Sequence, residues 1–580
     1  MTRRNPVDDA PHQQTPVSSL ATKTRLAHRP WLLALVLVVV TFVAYQSTWH
    51  AGFIWDDYRL FTQNPAMLSV PGLRQIWSSL IASHFVPLTL TSFWVERRCW
   101  GLHPLPYHVM NIGLHASNAV LLWVLLRRLK IRGAWFAAAV WALHPINTET
   151  VAWVTELKNT QSGLFFLLAL LMFLRFEDGL HPRNYAVALV LGAAAMLSKP
   201  STVVLPGVML LCAWRRCGQW TRNDFLRVAP LVAFGAAMSL VAIVEQRYEI
   251  ADEGASQWAL TAAQRVMRAG RAPWFYAGKV LWPADLCFVY PRWELAAHSV
   301  AAWLPLAGLA LAAATLWQFR HTHWAQAAIF GLGYFVIALL PVLGFFDTYF
   351  FRYSFVADHF QYLACIGLIS LAVNTGTAIC ERAGQRGRDL GTLAAAITLL
   401  ILGVSTWRQA RIYQSQETLW RDTLTKNPDC WLAHNNLGLL LEHRGREAEA
   451  EEQYRLALRI FPDDVKAHVN LGNALVRQGK PSEAVQQYEE ALWIQPNHAQ
   501  ARINLGNVWL LQGNISEAIG DYEEALRIDP HSVEAHLNLG VALEQAGRAS
   551  EAIEQYEQVL RLNPDLTAAS NALARLRPGQ

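Results

Sequence analysis

The sequence predicts an all-α protein: a polytopic helical membrane domain of about eleven spans, followed by an α-solenoid of stacked helix pairs. Three observations predict it. Apolar runs recur up to about residue 406, among them 31–45, 226–244, 299–318, 324–343, 359–379 and 390–406, and several approach the roughly 20 residues that cross a bilayer. Beyond that point the chain turns charged and repeats itself every 34 residues. The 580 residues are 53% hydrophobic and only 16% charged, which is lopsided for a soluble protein and too long for one ordinary core.

Residues 1–30, "MTRRNPVDDAPHQQTPVSSLATKTRLAHRP", precede the first apolar run. No small-residue cleavage signature follows that run, so the stretch reads as a basic cytoplasmic tail before a retained first helix, and a signal peptide is set aside. The net charge of +5 implies no nucleic acid, because the arginines fall mainly in short loops between spans. The 7 cysteines form no CxxC pair or regular framework, which supports neither zinc nor a disulfide scaffold. No metal-ligand spacing is evident, and a divalent cation at an acidic pair is the one cofactor left open.

Basic loops mark the cytoplasmic side of a membrane. Here they are Arg3/Arg4/Lys23/Arg25/Arg29, Arg127/Arg128/Lys130/Arg132, Arg175/Arg183, Arg215/Arg216/Arg222, Arg320 and Arg382/Arg386/Arg388. Threading helices between them over 31–406 puts the N-terminus in the cytoplasm and the chain after 406 outside, in the periplasm of a bacterial inner membrane. The short runs near 134–143, 185–197 and 203–214 are the weak points, since a helix of about 12 residues covers only about 18 Å. With this threading "FIWDDY" (53–58), "HPINTETVAWVTELKN" (144–159), "LSKPS" (197–201), the loop 245–298 and "FFDTYFFRYSFVADHFQY" (345–362) share the outer face. Polar groups near membrane depth are costly, and five such loops on one side read as a site.

Each group in that site has a plain structural reading beside the functional one. Asp56 and Asp57 are a base and its orienting partner, or a turn or cap outside the membrane; two adjacent carboxylates repel, which raises one pKa and suits proton transfer. His108, Asn111, His115 and Asn118 share one helical face, either supporting the site or hydrogen-bonding between helices. His144 precedes a segment that places Glu149, Trp153 and Glu156 on one helical stripe with Lys158 nearby, whose bland reading is a solvated loop helix. Asp358 and His359 fall in the last outer loop. Lys199 meets an anion or snorkels to the interface. Arg268 and Arg271, with Arg265, hold a phosphate or an interfacial helix against lipid headgroups. Carboxylates that take a proton and cations that hold a phosphate fit transfer of a group from a lipid phosphate to a hydroxyl.

Several of these stretches carry a resemblance. "GFIWDDYRLFTQNP", "VPLTLTSFWVERRCWGLHPLPYHVMNIGLHASNAVLLWVLL", "ALHPINTETVAWVTELKNTQSGLFFLLAL", "LSKPSTVVLPGVMLL" and "ADHFQYLA" look like bacterial relatives of the transmembrane and tetratricopeptide-containing (TMTC-type) O-mannosyltransferases, in order and over nearly the whole chain after residue 30. The resemblance implies the GT-C glycosyltransferase fold, a polyprenyl-phosphate sugar as donor, inversion at the sugar and a catalytic acidic motif in the first outward loop. Only Asp56 and Asp57 match that motif, and which of the two acts stays open, as does the sugar, with mannose one candidate.

The C-terminal region follows from its period. "NLG" recurs at Asn436, Asn470, Asn504 and Asn538 with a spacing of 34 residues. Twelve residues after each glycine stands Ala450, Ala484, Ala518 or Ala552; sixteen after it stands Tyr454, Tyr488, Tyr522 or Tyr556; Pro462, Pro496, Pro530 and Pro564 close the units. This pattern reads as tetratricopeptide repeats, 431–464, 465–498, 499–532 and 533–566. Gly and Ala let paired helices approach, Tyr fills between them, and Pro turns the chain. Val559 departs from the Ala457, Ala491 and Ala525 of the other repeats. Residues 407–430 read as a linker and degenerate half-repeat, and 567–580 as a capping helix. The groove of such a stack predicts a protein or peptide partner. The four asparagines should align in a ladder; a similar ladder in the cytosolic O-GlcNAc transferase grips extended acceptor polypeptides, while the plain reading is repeat consensus that bridges the scaffold.

Together these readings favour a membrane glycosyltransferase with a repeat arm that presents a protein acceptor. A non-catalytic membrane scaffold for the repeats is the alternative. A transporter is disfavoured, because the polar loops gather at one face and not at mid-membrane.

Overall fold

The computed structural model of the protein describes residues 29–78, 85–252, 260–346 and 348–577. The basic tail before residue 29 lies outside them. The fold is all-α: no strand occurs among the described residues. The membrane domain runs α1 (Pro30–Ala44), α2 (Val70–Ser78), α3 (Pro87–Trp100), α4 (Pro104–Arg128), α5 (Ala134–Ala142), α6 (Thr148–Ala152), α7 (Leu157–Gly179), α8 (Pro182–Ser198), α9 (Leu205–Cys217), α10 (Arg222–Asp252), α11 (Ala262–Leu281), α12 (Leu304–Gln318), α13 (His323–Leu339), α14 (Cys365–Arg382) and α15 (Gly384–Ala410). Proline opens α1, α3, α4 and α8, at the position where its missing N–H and fixed φ cost nothing.

Six stretches among the described residues are long and apolar enough to cross a bilayer: Pro104–Arg128, Val154–Gly179, Arg222–Arg247, Val300–Gln318, His323–Val342 and Gly384–Gln414. The remaining apolar helices fall short in length or hydropathy. The run at 134–143 forms the 9-residue α5, about 14 Å long at 1.5 Å per residue; it is enclosed by α4 and α14 and almost wholly buried. The run at 359–379 becomes helical only at Cys365, because Asp358–Gln361 form a tight buried turn. At the periphery, α12 has no buried residue and α15 only three, Leu402, Thr406 and Ala410. Their exposed apolar side chains are what a bilayer covers. The chain is a multi-pass membrane protein.

The two ends of the bundle differ. α4 runs from Pro104 to Arg128 and α7 runs back from Leu157 to Gly179, and at the Arg128 end the predicted basic loops are tied together. Arg128 and Arg216 both pair with Asp178, Arg227 with Glu177 at 2.8 Å, and Arg132 with Glu381 at 3.4 Å. The opposite end gathers the aromatic and acidic loops.

The repeats form as their spacing predicts. After α16 (Gln416–Lys426) come the pairs α17 (Trp431–His443) and α18 (Glu447–Ile460), α19 (Val465–Arg477) and α20 (Pro481–Ile494), α21 (Ala499–Leu511) and α22 (Ile515–Ile528), and α23 (Val533–Gln545) and α24 (Ala549–Leu562), closed by α25 (Thr567–Leu576). Each repeat glycine is a matter of space. A Cβ on Gly438, Gly472, Gly506 or Gly540 would stand within 2.6–2.7 Å of the ring of Tyr454, Tyr488, Tyr522 or Tyr556. Val559 is fully buried where the other repeats have Ala. First helices touch first helices of the next repeat more closely than second helices touch second, so the first helices line the concave side.

The solenoid is joined to the membrane domain by contact as well as by chain. Lys426 Nζ donates to the Leu286 carbonyl at 2.7 Å and Asn427 Nδ2 to that of Val289 at 3.0 Å. Trp420 sits edge-on to Phe288, centroids 5.6 Å apart. Arg352 stacks over Trp431 at 5.0 Å, and Tyr353 meets the same indole at 5.3 Å.

Candidate active site

Asp56 and Asp57 leave the first helix together and then part. Asp57 is fully buried: its Oδ2 accepts the Ile54 amide at 2.8 Å, and its Oδ1 accepts the Thr155 amide at 2.8 Å and the Thr155 hydroxyl. Burial pushes its carboxyl up to about 7, with the neighbouring Asp56 charge adding least. Asp56 is only half-buried and lines a cavity of about 220 Å³. The turn that separates the two is strained: Trp55 has φ +41°, a region that non-glycine residues occupy only where packing holds them. Here the packing is aromatic, with Trp55 stacked on Trp153 at 5.5 Å and edge-on to Phe288, Tyr353 and Trp420.

The cavity draws on five further segments. From just before α3 come Phe85 and Val86; from 153–158 come Trp153, Glu156 and Lys158; from the start of α9's lead-in come Lys199 to Ser201; from α10 come Ala242, Glu245 and Gln246; from the loop before α14 come Tyr349, Phe350, Tyr353, His359 and Phe360. Lys158 Nζ lies 2.8 Å from Glu156 Oε1. Lys199 Nζ lies 3.9 Å from Glu156 Oε2 and donates to Asn159 Oδ1. Burial pushes Lys199 down to about 8 against the attraction of Glu156. Arg59 completes the cations of the wall, its Nε 4.0 Å from Asp56 Oδ1. One small space thus holds three carboxylates, those of Asp56, Glu156 and Glu245, and three cations beside aromatic rings. Such a set can take a proton, hold an anionic phosphate and stack a sugar ring.

His359 is held from behind. Its ring nitrogen Nδ1 lies 2.8 Å from Glu149 Oε1, and its backbone amide donates to Oε2 at 3.0 Å. Glu149 is buried and reaches the cavity only through His359. Asp358 turns away: both its oxygens accept the Tyr290 hydroxyl at 3.1 Å, and burial, followed by the charge of Glu149, keeps its carboxyl well above the usual range.

The other expected residues sit elsewhere. The predicted stripe of Glu149, Trp153 and Glu156 is broken, because the backbone turns extended at Trp153; the segment is buried, not solvated. On α4, Asn111 Nδ2 donates to the Trp153 carbonyl at 3.0 Å and its Oδ1 accepts the Thr160 hydroxyl at 2.6 Å. His115 bridges the Tyr362 hydroxyl and the Ala142 carbonyl, and Asn118 joins Thr160 and Tyr362. His108 is buried among them. These are bonds between helices, and none of the four lines the cavity. His144 Nε2 meets the Val280 carbonyl at 3.0 Å. The structure does not bring Arg268 or Arg271 to the cavity either. Arg268 is buried, stacked over Phe351 at 4.2 Å and bonded to the Gly344 carbonyl, where a Cβ would collide with it. Arg271 lies over Trp293 at 4.6 Å. Sequence reasoning missed Arg59, Thr155, Tyr349 and Tyr353; only Arg59, three residues from Asp56 in a turn, left a signal in the spacing.

In the repeats the ladder asparagines face their own scaffold. Asn470 Nδ2 donates to Asn435 Oδ1 at 3.0 Å, Asn504 to Asn473 at 2.9 Å and Asn538 to Asn507 at 2.9 Å. Asn436 donates to the Leu432 carbonyl at 2.8 Å.

Comparison with known proteins bears on both halves. The tetratricopeptide repeat family matches residues 430–496, 469–533 and 510–576. A protein O-mannosyl-transferase of Homo sapiens, TMTC4, is 27% identical over 73% of this chain and 66% of its own length. The protein O-mannosyl-transferase F38B6.6 of Caenorhabditis elegans is 23% identical over 73% of this chain and 62% of its own. The chain therefore spans less than two thirds of the length of these relatives. Among solved structures the repeats are similar to MamA, at 22% identity and a TM-score of 0.25, over 26% of this chain and 88% of that one. Over about three quarters of its length this chain is similar to the TMTC-type protein O-mannosyl-transferases, and it carries tetratricopeptide repeats at its C-terminal end.

Proposed function

We propose that this protein is a membrane glycosyltransferase of GT-C type, which moves a sugar from a polyprenyl phosphate to a hydroxyl on a protein acceptor. The site faces away from the basic loops, outside the cytoplasm, and the repeats bind the acceptor. One observation carries the reading: Asp56 shares a single small cavity with Lys158, Lys199 and Arg59. The acceptor oxygen attacks the anomeric carbon on the face opposite the phosphate, its proton passes to Asp56, and the bond to the phosphate oxygen breaks with inversion. The departing lipid phosphate keeps the electron pair, and the cations stabilise its charge. Asp57, turned inward, positions Asp56. Arg268 and Arg271 take no part. The names of the relatives favour mannose as the sugar.

The test incubates the purified full-length protein, in lipid nanodiscs, with polyprenyl-phosphate mannose and a protein extract, and measures lipid phosphate released and sugar bound to protein. Transfer is expected, and Asp56→Asn should lower it by about 10²-fold or more, the scale of a general base. Unchanged turnover in a folded Asp56→Asn protein would remove this residue from the chemistry.

A further inference from the structure

The amides inside the solenoid fall into two groups with different work. The ladder residues Asn504 and Asn538 each spend a hydrogen on the side-chain oxygen of a second asparagine one repeat back, Asn473 and Asn507. The same two oxygens each accept a tyrosine hydroxyl, Tyr488 on Asn473 and Tyr522 on Asn507, both at 2.6 Å. Each oxygen is thus held from two sides, which fixes the rotation of the amide. Its Nδ2, a donor of two hydrogens, has no hydrogen bond to the described residues. Asn473 is half-exposed and Asn507 exposed, and both stand on first helices, α19 and α21, which line the concave side. The arrangement is confined to the middle of the arm. At the same position the first and fourth repeats carry Leu439 and Val541, and there the tyrosines bond to Glu442 and Glu544 instead.

We propose that Asn473 and Asn507 are a docking site for the backbone of an extended polypeptide, with the ladder asparagines and the tyrosines as its braces. Fixed uncharged donors in matching positions of successive repeats suit the carbonyl oxygens that a strand presents along one edge at every second residue. An acidic ligand would require free cations beside them, and the nearest arginine on α19, Arg477, is paired with Glu442 at 2.6 Å and Glu447 at 3.3 Å. The row of first helices begins at Trp431, which packs on the cavity wall at Tyr353, so a chain lying on these amides leads toward the cavity. That this chain is a substrate rests on the function proposed above; that it binds does not.

The test is fluorescence anisotropy on the full-length protein in detergent, with an uncharged, labelled Ser/Thr-rich peptide and its scrambled sequence as probes. Both should bind alike, since backbone is what is read. The double variant N473D/N507D keeps every oxygen the braces need and removes the donors. N473L/N507L places at both positions a residue that the first repeat already carries there. Each should raise the dissociation constant about tenfold or more, for two lost hydrogen bonds; N473D/N507D should leave the thermal midpoint little changed, whereas N473L/N507L, which removes the acceptor of the Tyr488 and Tyr522 hydroxyls, should lower it. Wild-type affinity in either folded variant, or preference for one of the two peptides, overturns the proposal. Lipid-phosphate release without acceptor separates this from the function itself: a donor-active protein that binds neither peptide sinks the docking site alone, and loss of binding in the variants of a donor-inactive protein sinks only the transferase.

Discussion

Thr155 donates twice to one oxygen of Asp57, through its amide at 2.8 Å and through its hydroxyl, and so staples the loop after α1 to the segment that carries Glu156 and Lys158. Asp57→Asn would set an amide N–H₂ against the Ile54 or Thr155 amide, a clash of donors that costs about 1–3 kcal/mol. The expected result is a lower thermal midpoint and a reduced turnover through displacement of Asp56. The pH dependence has a definite sign. With its carboxyl at about 7 when folded and about 3.9 when unfolded, Asp57 binds its proton more tightly in the folded state. Its contribution to stability is complete below about pH 4 and is lost as pH rises to about 7. Thermal midpoints of wild type and Asp57→Asn, compared across that window, should show the wild type falling more steeply.

Lys199 predicts the alkaline limit of donor binding. Its ammonium, lowered to about 8 by burial, is charged at neutral pH and loses its proton above that value. The KM for a polyprenyl-phosphate sugar should therefore rise as pH passes about 8. Lys199→Gln should raise KM at neutral pH by about 10-fold or more, the worth of a charge-assisted hydrogen bond. Lys199→Arg, which stays charged, should flatten the alkaline rise; a profile unchanged by that substitution would place the titration elsewhere.

Glu149 and His359 should behave as one unit. The carboxylate holds Nδ1 and the backbone amide of His359, so either Glu149→Gln or His359→Ala disturbs the same ring against the cavity. Each is expected to lower turnover by about 10-fold. The double variant should be scarcely worse than the single ones, since coupled residues are non-additive. Multiplied effects in that cycle would mean that the two act separately.

The orientation is open to a direct measurement. A reporter active only outside the cytoplasm should work when fused after Arg408, at the cavity end of α15, and stay silent after Arg128, in the ion-paired basic end of α4. A silent Arg408 fusion would place the cavity in the cytoplasm and end the proposal of an extracytoplasmic acceptor.

Helix content, the 34-residue period and the polar character of the loops around the cavity were legible from order alone, because hydropathy and spacing act within a few turns of chain. Glycine facing tyrosine in each repeat was legible for the same reason: both partners recur at fixed separations within one helix pair. What one neighbour does and the next does not was decided only in three dimensions. Asp56 and Asp57 are adjacent in sequence, yet a strained Trp55, wedged among rings from four other segments, turns one carboxylate to the cavity and the other into the protein. Lys199 and Arg268 are both cations beside apolar runs. Lys199 meets the anion of Glu156 at the cavity, whereas Arg268 is covered by Phe351 and Phe355. The ladder asparagines were visible as a period, but their partners lie in the preceding repeat, and only stacking the helices decides which amide is spent on the scaffold and which is left facing the groove.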